Sequence, residues 1–199
     1  IRSLMNIQDV LTDTIGRKRG KVAIGIHDFD KIIPNINYIE VNPSEKIIPL
    51  DTNEEMTLAE ALEKISKGKD YGHILSGLKK LPVWTDAKGI FSFPPIINSE
   101  RTRVTEKTRN LLVELTGTDK EAVLQTLNII VTNFAERGCT IESVKIFYGE
   151  KPDVTPNLNS NLMDVGTDEI NKLLGLDLKK TDIIDSLNRM GYYVTENKG

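Results

Sequence analysis

Three polar side chains in apolar surroundings carry the chemistry this sequence could perform. Glu114 and Thr116 lie in the run Leu111-Leu112-Val113-Glu114-Leu115-Thr116-Gly117. Side chains two residues apart on a strand share a face. With Asn110 to Thr116 extended, an acid and a hydroxyl stand side by side on one face, and Val113 and Leu115 occupy the other. Ser92 sits between Phe91 and Phe93, directly before Pro94-Pro95. A dense polar patch follows, Asn98-Ser99-Glu100-Arg101-Thr102-Arg103. An acid beside a hydroxyl on a mostly apolar strand points to a polar pocket.

The heavier catalytic motifs are missing. There is no G-x-G-x-x-G, P-loop, H-E-x-x-H or G-x-S-x-G pattern. The two histidines, His27 and His73, are far apart, and Cys139 is the single cysteine, so neither a His-rich metal site nor an internal disulfide is expected. An enzyme built this way acts on an already activated bond by holding substrate and water in place. The net charge of −3 provides no global basic field for nucleic acid, so any RNA contact is local. With 39% hydrophobic and 28% charged residues, the composition is that of an ordinary soluble globular chain. No apolar run reaches the roughly 18–20 residues of a membrane span. Opening on Ile1 and stopping soon after Val194, the chain is expected to be a piece of a longer protein.

The elements that must position these groups follow from periodicity and punctuation. Leu4, Ile7, Leu11 and Ile15 predict an amphipathic helix over 3–15. The cluster Arg17-Lys18-Arg19-Gly20-Lys21 fits a solvated loop or a phosphate contact. Val22 to Ile26 predicts a buried strand, with His27 and Asp28 read as strand-end caps rather than a catalytic pair. Tyr38 to Val41 and Ile47 to Leu50 are short strands. Thr57-Leu58-Ala59-Glu60 has the capping-box pattern for a helix running to Lys67 and closed by Gly68. Tyr71 to Leu78 reads as a second helical piece. Pro82 to Thr85 and Ile90 to Phe93 flank Asp86-Ala87-Lys88-Gly89 as a hairpin, with Phe91 and Phe93 on one face and Ser92 on the other. Thr118-Asp119-Lys120-Glu121 is a second capping box, opening a long helix stopped by Gly138. Thr140 to Tyr148 predicts a strand covered on both faces, and Glu150 to Asn161 a linker. Two short helices, ended by Gly175 and Gly191, precede a strand at Tyr192-Tyr193-Val194. The expectation is an α/β (α+β) fold with a mixed, largely antiparallel sheet backed by helices over residues 1–150, then a truncated small unit over 151–199.

Beyond this, the ordered pieces Lys21 to Asp30, Ser92 to Glu100, Thr102 to Thr105, Thr108 to Asn110, Thr116 to Asp119, Leu127 to Val131 and Ala135 to Gly138 resemble the β subunit of the archaeal and eukaryotic type of phenylalanyl-tRNA synthetase. Glu169 to Gly175 and Leu187 to Tyr192 resemble the start of the next module of that subunit. The resemblance implies an editing domain that hydrolyses tyrosine wrongly esterified to tRNA(Phe). It implies editing-pocket roles for Ser92, Glu114, Thr116 and Leu81, and weaker substrate-contact roles for Asn98 and Arg109. Archaeal members commonly have Asp where this chain has Glu114, so the carboxylate here reaches about one methylene deeper. The family's setting is a cytoplasmic heterotetramer of two α and two β subunits. Its ATP site lies in the α subunit and its magnesium-linked residues lie beyond this chain, so no cofactor is expected in this piece. Bland readings stay open beside these. Thr116 also fits a turn before the Thr118 cap, Glu114 a strand-end salt bridge, and Arg101 and Arg103 a solvated loop. A non-catalytic scaffold that docks tRNA or the α subunit is the alternative function, and a free-standing editing hydrolase a third.

Overall fold

The structure, a computed structural model, describes residues 2–196 and the side chains of 5–196. Two compact units divide the chain, Ile1–Asn157 and Leu158–Gly199. The first runs α1 (Arg2–Asp13), β1 (Val22–Asp28), β2 (Asn37–Val41), β3 (Lys46–Ile47), β4 (Met56–Thr57), α2 (Leu58–Lys64), α3 (Ser66–Tyr71), β5 (Leu81–Asp86), β6 (Gly89–Phe93), β7 (Ile97–Asn98), β8 (Leu111–Gly117), α4 (Lys120–Ala135), β9 (Val144–Phe147) and β10 (Pro152–Thr155). The second holds α5 (Thr167–Leu174) and α6 (Lys180–Arg189). Gly175 closes α5 in the left-handed conformation expected of a C-terminal glycine.

The fold is α+β with antiparallel pairing throughout the described strands. The expected single sheet is instead divided. β2-β5-β6-β7 form a four-stranded sheet, and β1-β8 form a separate two-stranded ribbon. On the ribbon, Ile24, Leu111, Val113 and Leu115 pack with Leu11 of α1 and Ile130 and Phe134 of α4. Ile7 and Ile15 join them, as the helical spacing predicts. On the four-stranded sheet, Leu81, Val83 and Phe93 pack with Leu58 and Ala61 of α2 and with Ile96. Each fully buried large apolar side chain here contributes roughly 1.5–3 kcal/mol. The helices therefore cover the outer face of each β layer. The inner faces meet, because Ser92 of β6 is hydrogen-bonded to Glu114 of β8.

Several expectations are corrected by packing. Gly68 does not end a helix. α2 stops at Lys64, and Gly68 is buried inside α3, where a Cβ would strike the Ala61 carbonyl and come within 2.6 Å of the Leu62 carbonyl. Close helix–helix approach, not a left-handed cap, requires that glycine. Tyr71 to Leu78 gives only the end of α3 and a short 3₁₀ turn over Gly72–Leu75. α4 is capped by Asp119, whose carboxylate accepts from Ala122 N at 3.0 Å, rather than by Thr118. β9 is largely exposed, and it pairs only with β10, which lies within the segment expected to be linker. That hairpin carries the boundary to Asn157 rather than 150. Tyr192 to Val194 form no strand among the described residues.

The polar patch after β7 is structural at its centre. Arg101 grips Asp86 with two nitrogens at 2.9 and 3.1 Å and also donates to the carbonyls of Lys31 and Gly89. It is no solvated loop. Burial alone pushes the Asp86 carboxyl up, but the N–H groups of Ile33 and Lys88 and the Arg101 guanidinium hold it below its ordinary value. A depressed carboxylate stabilises the fold above its unfolded pKa of about 3.9 and loses that stabilisation as pH falls through the lower folded value. Asp86→Ala deprives a partly buried guanidinium of its carboxylate and is expected to cost about 1.5–3 kcal/mol at neutral pH. In urea melts from pH 7 to pH 2, the parent should lose stability below about pH 4 more steeply than the variant. Equal acid limbs would refute this assignment.

Candidate functional site

The site lies where the two β layers meet. Opposed residues of an antiparallel pair share a face. Glu114 opposes Gly25, Thr116 opposes Ala23, and Leu112 opposes His27. The inner face of the ribbon is therefore Ala23, Gly25, His27, Leu112, Glu114 and Thr116. Across the other sheet, Tyr38 opposes Trp84, Trp84 opposes Ser92, and Ser92 opposes Asn98. That row faces the ribbon.

Ser92 Oγ donates to Glu114 Oε1 at 2.9 Å, and Asn98 Oδ1 lies 3.3 Å from the same hydroxyl. Asn98 Nδ2 reaches the Ile26 carbonyl at 3.3 Å, tying the two layers together. His27 Nε2 stands 3.7 Å from Glu114 Oε1, and its Nδ1 is 2.8 Å from Thr102 Oγ1. His27 is completely buried, Ser92 is 1% exposed and Glu114 7% exposed, so this is an interior cluster and not a surface ion pair. Gly25 makes it possible. A Cβ there would meet the Glu114 carboxylate, 2.8 Å from Cδ and 2.9 Å from His27 Nε2. Among the described residues, Glu114 Oε2 and His27 Nε2 are buried without a hydrogen-bond partner. Buried polar atoms are nearly always satisfied, because leaving one bare costs roughly 1–3 kcal/mol. Two such atoms on one acid–histidine pair mark a place able to receive a ligand hydroxyl, which can donate to the carboxylate.

The structure thus brings together Ser92, Glu114 and Asn98. Thr116 shares their face, half-buried, but makes no hydrogen bond to the cluster among the described residues. Leu81 lies 3% exposed in the other core, because odd-numbered residues of β5 face α2 while Trp84 takes the inner face. Arg109 is exposed and bonded at 3.2 Å to the carbonyls of Glu106 and Thr108, at the far end of β8 from Thr116.

His27, Gly25 and Thr102 were not foreseen as site residues. The strand runs two residues past the expected end, to Asp28, which puts His27 on the inner face rather than at a cap. The period-2 spacing of Gly25 and His27 was the available signal. Phe91 also departs from expectation. A register shift between Trp84 and Thr85 lets β6 bulge, so Phe91 meets the His27 ring edge-on at 5.1 Å while Ser92 meets Glu114. In the basic cluster before β1, Arg17 and Lys18 are exposed as a solvated loop would have them, but Arg19 is not. Arg17, Lys18 and Arg19 all have positive φ, and Arg19 folds inward onto the Pro95 and Ile96 carbonyls and the Tyr71 ring. That contact anchors the segment following Ser92. A cavity of about 230 Å³ that includes Thr52, Ser66 and Lys67 in its lining contains none of the cluster residues, so the hydrogen-bonding geometry, not cavity size, defines the site.

The chain as a whole is similar to known proteins. A family model of the B3/4 domain matches residues 1–146. The phenylalanine–tRNA ligase β subunit of Thermococcus gammatolerans is 46% identical over the whole chain, and that of Archaeoglobus fulgidus is 46% identical over 96% of it. The chain spans 35% of the length of each of these curated relatives. A crystal structure of an N-terminal fragment of the phenylalanyl-tRNA synthetase β subunit from Pyrococcus horikoshii superposes with a TM-score of 0.91 at 43% identity, covering 98% of this chain and 57% of that one. The inward-facing Glu114, Ser92 and His27 of this chain therefore sit in a protein that belongs to the B3/4-domain family, of the kind found in archaeal phenylalanine–tRNA ligase β subunits.

Proposed function

We propose that the first unit hydrolyses Tyr-tRNA(Phe), as a proofreading module supporting Phe-tRNA(Phe) synthesis. The observation that carries this is the buried Glu114 carboxylate, held by Ser92 through Oε1 and left without a partner at Oε2. A pocket shaped for phenylalanine cannot strongly reject an isostere that merely adds a hydroxyl. A second pocket built to bind that hydroxyl rejects the analogue lacking it by a far larger factor, because its own polar atoms then stay unpaired. Glu114 accepts from the phenol, Ser92 fixes the carboxylate's orientation, and His27, braced by Thr102, closes the far side. Asn98 keeps the two layers in register. The ester is already activated, so the task of the protein is to orient carbonyl and water, and a ribose hydroxyl of the tRNA assists. Thr116 lies on the same face of the ribbon as Glu114.

The partners of this reading are tRNA(Phe) and the synthetase α subunit, in a heterotetramer of two α and two β subunits in the cytoplasm, with ATP and magnesium serving the whole enzyme elsewhere. Among the described residues, no helix is long and apolar enough to cross a membrane. The test is deacylation of Tyr-tRNA(Phe), with Phe-tRNA(Phe) as control. The expected result is hydrolysis of the tyrosyl ester at least 100-fold faster than of the phenylalanyl ester, within the range that hydroxyl-reading sites reach. Hydrolysis of neither, by the chain or by the assembled enzyme, would leave a docking scaffold as the better reading.

A further inference from the structure

The row that faces the ribbon does not end at the polar cluster. It runs from Asn98 through Ser92 and Trp84 to Tyr38 on the edge strand β2. From Ser92 outward, exposure rises. Ser92 is 1% exposed, Trp84 is partly buried, and Tyr38 is 48% exposed. The Tyr38 and Trp84 rings lie 4.8 Å apart, tilted by 38°. Trp84 Nε1 is buried without a hydrogen-bond partner among the described residues. Neighbouring strands are about 4.8 Å apart, so Tyr38 stands about 10 Å from Ser92, toward solvent. Burial, and next the Glu114 charge, push the Tyr38 phenol up to about 12, which keeps it neutral and places it in the field of the same carboxylate. An aromatic ring half in water, braced by a second ring and two strands out from Ser92, has no role in either hydrophobic core.

We propose that Tyr38, supported by Trp84, is the stacking platform for the terminal adenine base of the esterified RNA. This rests on the editing reading above. A tyrosyl group seated with its hydroxyl at Glu114 sends its ester, ribose and base progressively outward, and the row of residues ends where that base would lie. Aromatic faces accept bases without regard to sequence, which suits a base present on every substrate. The indole N–H of Trp84 supplies a donor for the ribose or ester on the way out.

Trp84 is the only tryptophan of the chain, so its fluorescence reports directly on this end of the site. The experiment compares two uncharged RNA hairpins, one ending in CCA and one ending in CC, at fixed salt, with tyrosinol as a third ligand. The expected result is quenching by the CCA hairpin with at least about tenfold tighter binding than the CC hairpin, a difference that Tyr38→Leu removes and Tyr38→Phe retains. In deacylation, Tyr38→Leu should raise KM for Tyr-tRNA(Phe) about tenfold with kcat within about twofold. Equal binding of the two hairpins overturns the proposal. So does quenching by tyrosinol, but not by the CCA hairpin, that Tyr38→Leu abolishes, since the platform would then hold the aminoacyl ring. A CCA preference without deacylation would sink the editing reading and leave this platform standing. Deacylation unaffected by Tyr38→Leu would do the reverse.

Discussion

Replacing Glu114 with Gln is expected to slow Tyr-tRNA(Phe) deacylation by about 10–100-fold. The amide keeps the size of the carboxylate and can still accept from Ser92 at the position of Oε1, so the local hydrogen bond survives. What is lost is the anionic acceptor. A hydrogen bond to a charged group is worth roughly 1.5–3 kcal/mol, and each 1.4 kcal/mol is tenfold. The loss falls on the tyrosyl ester alone, because a phenylalanyl ester never made the bond. The ratio of tyrosyl to phenylalanyl hydrolysis is therefore the quantity to measure, alongside thermal unfolding to show that the fold persists. Deacylation within twofold of the parent would remove Glu114 from the hydroxyl-reading role.

Gly25→Ala is expected to be at least as damaging to deacylation, though it adds one methyl group on the neighbouring strand. That methyl would occupy the space of the Glu114 carboxylate and crowd His27 Nε2. The carboxylate lies at the end of a flexible side chain, so it swings away and the backbone need not move. Stability should change little, by about 1–2 kcal/mol at most, since Ala is otherwise favoured over Gly in a strand interior. Activity should fall about 100-fold, by the same hydrogen-bond magnitude that governs Glu114→Gln. The double variant discriminates. If Gly25 acts only by giving Glu114 its place, Gly25→Ala with Glu114→Gln loses little more than either alone. Additive losses would show that Gly25 serves something else. The same space accommodates the Glu114 carboxylate, because the opposing strand offers no Cβ to obstruct it.

Much of this was legible in the residues. The acid–hydroxyl spacing of Glu114 and Thr116, the apolar alternation of Val113 and Leu115, the Thr57 capping box and the Gly89 hairpin turn are local features, and each formed as its short-range chemistry requires. The misses share one cause. Gly68 and Gly25 are glycines because another backbone or side chain approaches them, and no window of sequence shows what approaches. His27 read as a strand cap because its neighbours within the strand are apolar or acidic. Its partners, Glu114 and Thr102, are 87 and 75 residues away in the chain. Leu81 and Trp84 exchange roles for a similar reason. Which face of β5 is inward is set by the ribbon that covers it.

The sequence by itself determined most of the strands and helices of the first unit, which of their faces are apolar, and that Glu114 and Thr116 share one face of a strand. These follow from periodicity and from the limited conformations each residue allows. Only the tertiary structure decided that the polar cluster lies between two separate sheets, with Ser92 on one and Glu114 on the other, that His27 belongs to it, and that Trp84 and the half-exposed Tyr38 continue the same row. Those facts depend on contacts between residues distant in the chain, where register and a single β-bulge select the neighbours.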